Sequence, residues 1–158
     1  MHASNPSAEI RRARLDDAPE IARLSGELGY PVSVDEITQR LAVLLRDERH
    51  HVAVVGAGER LLAWMHVEQR ASLERGERAE LMGLIVDTSA RRHGWGRKLV
   101  DVAERWARER GLGSITVRSN VARDGAHPFY ERLGYARRKT QHVYTKVLRH
   151  TPSAGESG

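Results

Sequence analysis

The chain contains no cysteine. Disulfides, thiolate zinc sites and a cysteine nucleophile are therefore excluded. Aromatic residues make up only 5%, with a single phenylalanine, too few for the stacking platforms of a single-strand nucleic-acid binder. No apolar run approaches the roughly 20 residues of a membrane span. The opening residues, Met1 to Ala8, are polar and lack the apolar core of a secretory signal. His50, His51, His93, His127 and His142 show no ligand spacing with carboxylates, so no metal site is expected. These absences predict a cytoplasmic protein with no nucleic-acid partner and no membrane partner.

What is present is ordinary for a globular protein: 158 residues, 40% hydrophobic and 30% charged. That length predicts one domain over residues 1–150 with a single core. The small, polar stretch 151–158 is expected to be a disordered tail. The formal charge of +5 suggests an anionic partner. Most arginines alternate with acids, as on a solvated surface. Only Arg91 to Lys98 is locally dense in positive charge, with Arg137-Arg138-Lys139 a shorter second cluster.

The apolar spacing predicts the order β-α-α-β-β-β-α-β-α-β. Glu9 to Arg14 forms a weak first strand. Asp16 or Asp17 caps a helix carrying Ile21, Leu24 and Leu28, broken at Gly29-Tyr30-Pro31. Ser33, with Glu36 three residues on, opens a second helix whose apolar face is Ile37, Leu41, Leu44 and Leu45. Strands follow at His51 to Val55, Leu61 to Val67 and Glu80 to Val86, with Ser72 to Arg78 a polar connection. The helix Gly96–Arg110 buries Leu99, Val100, Ala103, Trp106 and Ala107, and Gly111 ends it. Trp64 is expected in the core. Ser114 to Val117 is a strand, Gly125 to Leu133 a short helix, and Val143 to Leu148 a last strand. The fold class is α/β: a mixed central sheet, antiparallel meander first and parallel βαβ unit second, flanked by helices.

The run Arg91-Arg92-His93-Gly94-Trp95-Gly96-Arg97 lies between a buried strand and this amphipathic helix. A strand that turns through glycines into a helix presents backbone N–H groups and the positive end of the helix dipole, a setting for polyphosphate. A Walker loop would need a hydroxyl after Gly96-Arg97-Lys98, where Leu99 stands. A dinucleotide loop would need glycine at Leu99.

The pattern Arg-x-x-Gly-x-Gly resembles the acyl-CoA loop of the GNAT superfamily of N-acyltransferases. The resemblance extends upstream through Ala79-Glu80-Leu81-Met82-Gly83-Leu84-Ile85-Val86-Asp87. Downstream it includes Ser119-Asn120-Val121 and Ala126-His127-Pro128-Phe129-Tyr130-Glu131-Arg132-Leu133-Gly134-Tyr135. These blocks stand in the family's order, and the element order matches over residues 9 to 148. The departures are Thr88, where the family often has proline, Arg92, where it commonly has glycine, and the bulky Trp95.

The resemblance implies acetyl-CoA as cosubstrate and an amine acceptor, with no metal. The pyrophosphate would lie on Arg91, Arg92, His93, Gly94, Trp95, Gly96, Arg97 and Lys98. Gly83 interrupts an apolar strand, which points to a bulge or to a glycine fitted under a large side chain. In the family this strand is bulged, and the pantetheine arm would pair with backbone at Leu84, Ile85 and Val86, with Asn120 contributing a polar side chain. Tyr130 matches the family's tyrosine near the CoA sulfur, a general acid for the thiolate, while Phe129 is expected in the core. An alkyl ammonium has a pKa of about 10.4, so transfer needs a base. Glu80 is the carboxylate in this strand, matches a catalytic glutamate of several members, and is expected to be raised by partial desolvation. Glu68, His66 and water remain alternatives to Glu80. The oxyanion would be met by backbone N–H of the bulged strand. A domain of this fold that binds acyl-CoA without chemistry is the alternative function. The acceptor is unspecified, its site expected near the first two helices, Tyr30-Pro31 and Ser72 to Arg78. A homodimer is an expectation by analogy alone.

Overall fold

The computed structural model describes residues 7–118, 126–139 and 141–149. They fall into two compact units that divide after Arg118. The first holds a five-stranded sheet in the order β1-β2-β3-β4-β5. β1 is Glu9–Arg12, β2 His50–Ala57, β3 Arg60–Ser72, β4 Gly76–Val86 and β5 Ile115–Val117. The first four strands are antiparallel neighbours, and β5 runs parallel to β4. This is the mixed sheet that the order of elements predicted.

Two helices cover one face. α1, Ala18–Glu27, and α2, Val34–Leu45, pack Ile21, Leu24 and Leu41 onto Val52, Val54 and Ile85. Ile37, Leu44, Leu45 and Trp64 close the edges of that cluster. Ser33 caps α2, its hydroxyl accepting from Glu36 N–H at 3.0 Å. Asp17 stands at the N-cap of α1, but its carboxylate turns back to Arg14 N–H at 2.7 Å and to the Arg11 guanidinium at 2.8 Å. It therefore anchors β1 rather than capping the helix.

α3, Trp95–Glu109, joins β4 to β5 and buries Leu99, Val100, Ala103 and Ala107. Each fully buried Leu or Val removes roughly 1.5–3 kcal/mol of apolar exposure. Trp106 is half-buried, stacked on His51 at 6.2 Å with the Arg110 guanidinium over it. Gly111 ends the helix at φ 74°, while Leu112 N–H bonds to Ala107 O and Gly111 N–H to Arg108 O. That is a Schellman stop, closed by the burial of Leu112.

Two expectations are corrected. Ser72 to Arg78 is not simply a connection: β3 runs to Ser72 and β4 starts at Gly76, leaving a turn at 73–75. The polar residues are held because they pair, Arg70 opposite Arg78 and Ser72 opposite Gly76. In the second unit, α4 is Ala126–Arg132, close to its expected span. Val143 to Leu148 is not a strand. Among the described residues nothing forms a ladder with it, and a segment without a ladder partner gains no strand hydrogen bonds. Val143, Tyr144, Val147 and Leu148 are exposed.

Candidate active site

β4 delivers its residues in two ways. Below Leu81 it pairs with both neighbours: Ala79 with Ile115, Glu80 with Thr116, Leu81 with Val117. Among the described residues the parallel ladder ends there. On the β3 side the register slips at the same level, His66 opposing Gly83 and Val67 opposing Leu81, so Met82 is the extra residue of a β-bulge. Leu84, Ile85 and Val86 lie beyond the bulge and beyond the β5 ladder. Both sequence readings of Gly83 hold together. It flanks the bulge, and a Cβ on it would meet the outer ring of Trp64 at 2.7 Å.

Asp87 follows, 3% exposed, and fixes the entry to the glycine–arginine run. Its carboxylate accepts from Ser89 N–H and hydroxyl at 3.0 Å each, and from Arg23 and Arg60 at 3.3 Å. Burial pushes this carboxyl up, but the four donors outweigh it and bring it down to about 2. Arg92 then takes φ 72°, the left-handed conformation in which glycine is favoured. Gly94 caps α3 at φ 78°. No side chain accepts from the first turn, and the helix ladder starts only with Lys98 N–H on Gly94 O at 3.0 Å. First-turn N–H groups and the cations of Arg91, Arg92, Arg97 and Lys98 thus share one helix end, with Lys98 lying over the Trp95 ring.

Glu80 is buried to 1% exposure and clamped by cations. Arg70 Nη1 donates to one oxygen at 2.7 Å and Arg118 Nε to the other at 3.0 Å, with Arg78 at 3.9 Å. Burial pushes its carboxyl up, but the bonds from Arg118 and Arg70 win and hold it below the usual glutamate range. The expected rise is reversed, because both guanidiniums come from elsewhere in the chain, Arg70 from β3 and Arg118 from just after β5. Beside it, His66 Nε2 is 3.0 Å from His50 Nδ1, and His50 is 3.5 Å from Glu68. Burial, then the charge of His50, lowers His66 to about 4, so it is neutral at pH 7. His66 also lines an open cleft of about 560 Å³ against α2, with Gln39, Arg40, Val43 and Leu44. Asp87, Arg70, Arg78 and Arg118 escaped the sequence reading, although the Asp87 position lay within the quoted blocks.

Asn120 lies outside the described residues. Tyr130 is in α4 of the second unit, half-buried, with its ring 5.0 Å from Phe129 and 5.9 Å from Tyr135.

The fourth strand of the mixed sheet is bulged where its described parallel ladder ends, and the connection that follows leads to the glycine-capped, cationic end of α3. The model of the Acetyltransferase (GNAT) family matches residues 14–135, and the chain belongs to that family. It is 27% identical over 113 residues to the uncharacterized N-acetyltransferase YhdJ of Bacillus subtilis (strain 168), covering 71% of this chain and 80% of that one. Among solved structures it resembles the aminoglycoside N-acetyltransferase AAC(6')-Iy in complex with CoA, at a TM-score of 0.81 and 15% identity over 94% of this chain and 100% of that one. It also resembles glucosamine-6-phosphate N-acetyltransferase from Arabidopsis thaliana, at a TM-score of 0.75 and 19% identity over 88% of this chain and 98% of that one.

Proposed function

We propose that this protein is an N-acetyltransferase that moves the acetyl group of acetyl-CoA to a primary amine by direct attack in a ternary complex. The observation that carries this reading is the Met82 bulge where, among the described residues, the β4–β5 ladder ends, followed within one connection by the Gly94 cap of α3. Backbone beyond the bulge, at Leu84 to Val86, is the proposed partner of the pantetheine arm, and Asn120 a side-chain partner. The residues Arg91 to Lys98 are the proposed pyrophosphate cradle.

In the proposed step the amine nitrogen bonds to the thioester carbon and the carbon–sulfur bond breaks. The ammonium proton leaves to a base, and the thiolate takes a proton from Tyr130. Backbone N–H at the bulge is the proposed donor to the oxyanion. Glu80 is the proposed base, with a condition attached. While Arg70 and Arg118 hold it, it is ionised and a weaker base than an ordinary glutamate, so a proton from an ammonium with a pKa of about 10.4 would have to move steeply uphill to reach it. Base function therefore needs that clamp loosened, or a water relay toward Glu68 and His66.

The test is twofold. Acetyl-CoA should raise the melting temperature of the protein, and free thiol should appear with an acceptor amine. Stabilisation by acetyl-CoA without thiol release across a broad amine panel would leave only a CoA-binding domain. No stabilisation would remove the donor site.

A further inference from the structure

We infer that the acceptor is a primary amine that also carries a carboxylate or phosphate, and that Arg70 and Arg78 receive that anion. This rests on the transferase reading and narrows its substrate.

The sheet face under α1 and α2 is apolar at Val52, Val54, Trp64 and Ile85, and charged at its other end. There β3 contributes Glu68 and Arg70 and β4 Arg78 and Glu80, placed together by the pairing of Glu68 with Glu80 and Arg70 with Arg78, and Arg118, just after β5, reaches Glu80 at 3.0 Å. Arg75, from the β3–β4 turn, reaches the same place and donates to Thr116 Oγ1 at 3.0 Å. Arginines outnumber carboxylates, and both carboxylates are engaged: Glu80 by Arg70 and Arg118, Glu68 by His50 at 3.5 Å and Arg70 at 3.6 Å. A polycationic acceptor would meet like charge with no carboxylate left for it.

Arg70 and Arg78 have donors to spare. A guanidinium carries five N–H groups in a fork suited to carboxylate or phosphate. Arg78 has a side chain only 6% exposed. It spends Nη1 on Ser72 Oγ at 3.2 Å, while its Nε is buried with no hydrogen-bond partner among the described residues. A buried donor left without a partner is unfavourable, and an arriving anion would remove that penalty. Arg70 is 46% exposed, and among the described residues its hydrogen bond goes to Glu80. Two residues along the same face from Glu68 lies His66, in the wall of the cleft against α2, where Val43 and Leu44 offer apolar surface to a carbon skeleton.

The experiment measures acetyl transfer with matched acceptors: β-alanine against β-alaninamide, and 2-aminoethyl phosphate against ethanolamine and 1,2-diaminoethane. A hydrogen bond to a charged group predicts a preference of about 10- to 100-fold in kcat/KM for an anionic member, and the two sets separate carboxylate from phosphate. Arg70→Gln should shrink that preference to about threefold or less, and Arg70→Lys should restore part of it. On the unaltered protein, propionate or ethyl phosphate should compete with the acceptor. Equal or better transfer to the neutral and dicationic amines would overturn the inference while leaving the transferase reading intact. If no amine is acetylated, the transferase reading fails, and calorimetric binding of the anionic amines in the presence of CoA decides the inference. Saturable binding weakened by Arg70→Gln would uphold it, and no binding would end it.

Discussion

Gly83 is the position where the structure makes its sharpest demand on a side chain. A methyl group there would sit 2.7 Å from Cη2 and from Cζ3 of Trp64, well inside contact distance. The ring cannot swing away freely, because Trp64 packs against the cluster beneath α1 and α2 and its Nε1 is buried. Overpacking of this kind costs about 1–3 kcal/mol. Replacing glycine at a position without positive φ returns about 0.4–1 kcal/mol through the unfolded chain. Gly83→Ala should therefore destabilise by about 1–2 kcal/mol, lowering Tm by roughly 3–6 °C in a protein of this size. In a Trp64→Phe background the outer ring atoms are gone. The same Gly83→Ala change should then be neutral or stabilising, giving a coupling of about 1–3 kcal/mol in the double-mutant cycle. Urea unfolding and thermal melts of the four proteins measure it. Equal effects of Gly83→Ala in the two backgrounds would refute the claim that Trp64 is what keeps this position glycine.

Three other outcomes are expected. His66 has a folded pKa of about 4 against 6.5 for the free side chain, so the unfolded chain binds more protons between those values. Stability should rise with pH across that window by at most about 3 kcal/mol, and His66→Gln should flatten the rise in urea midpoints. Glu80→Gln leaves two guanidiniums without their carboxylate and should cost about 1–3 kcal/mol, moderated because Arg70 and Arg118 can turn to water. Since the Glu80 carboxyl is held down, its contribution is present above about pH 4.5 and fades as pH falls below; the Gln variant should lose part of that acid limb. Arg92→Gly relieves a left-handed non-glycine residue, so Tm should hold or rise by a few degrees while acetyl-CoA Kd rises several-fold. An unchanged Kd would remove Arg92 from the phosphate site.

The local signals were legible in the sequence. Ser33 before Glu36, the apolar stripe of α2, the glycine stop at Gly111 and the glycine turn into α3 are each decided within a few residues. The mixed topology followed from the spacing of the apolar runs. The charged end of the sheet was not legible, because its meaning lies in pairing across strands. Glu68 to Ser72 and Gly76 to Arg78 look like loop until they are set opposite one another. Glu80 has Ala79 and Leu81 as chain neighbours, which argues for a raised pKa. Arg70 and Arg118 stand 10 and 38 residues away and reverse the sign. Val143 to Leu148 carries β-favouring residues, yet a strand also needs a ladder, and sequence alone does not supply one.

The extra residue at Met82 has a consequence for parity. Before it, even-numbered residues of β4, Arg78 and Glu80, point to the α1–α2 side; after it, odd-numbered residues, Gly83 and Ile85, do. One strand thereby offers the same side of the sheet two independent alphabets, charged below and apolar above. Deleting Met82 would remove the bulge and leave Gly83 and Ile85 on the α1–α2 side; pairing Met82 as an ordinary strand residue would instead invert the upper half, sending Leu84 and Val86 to that side and Ile85 away from it. The two halves can consequently change separately: the charged end, proposed to meet the acceptor, can exchange its charges without disturbing the frame of the backbone proposed for acetyl-CoA.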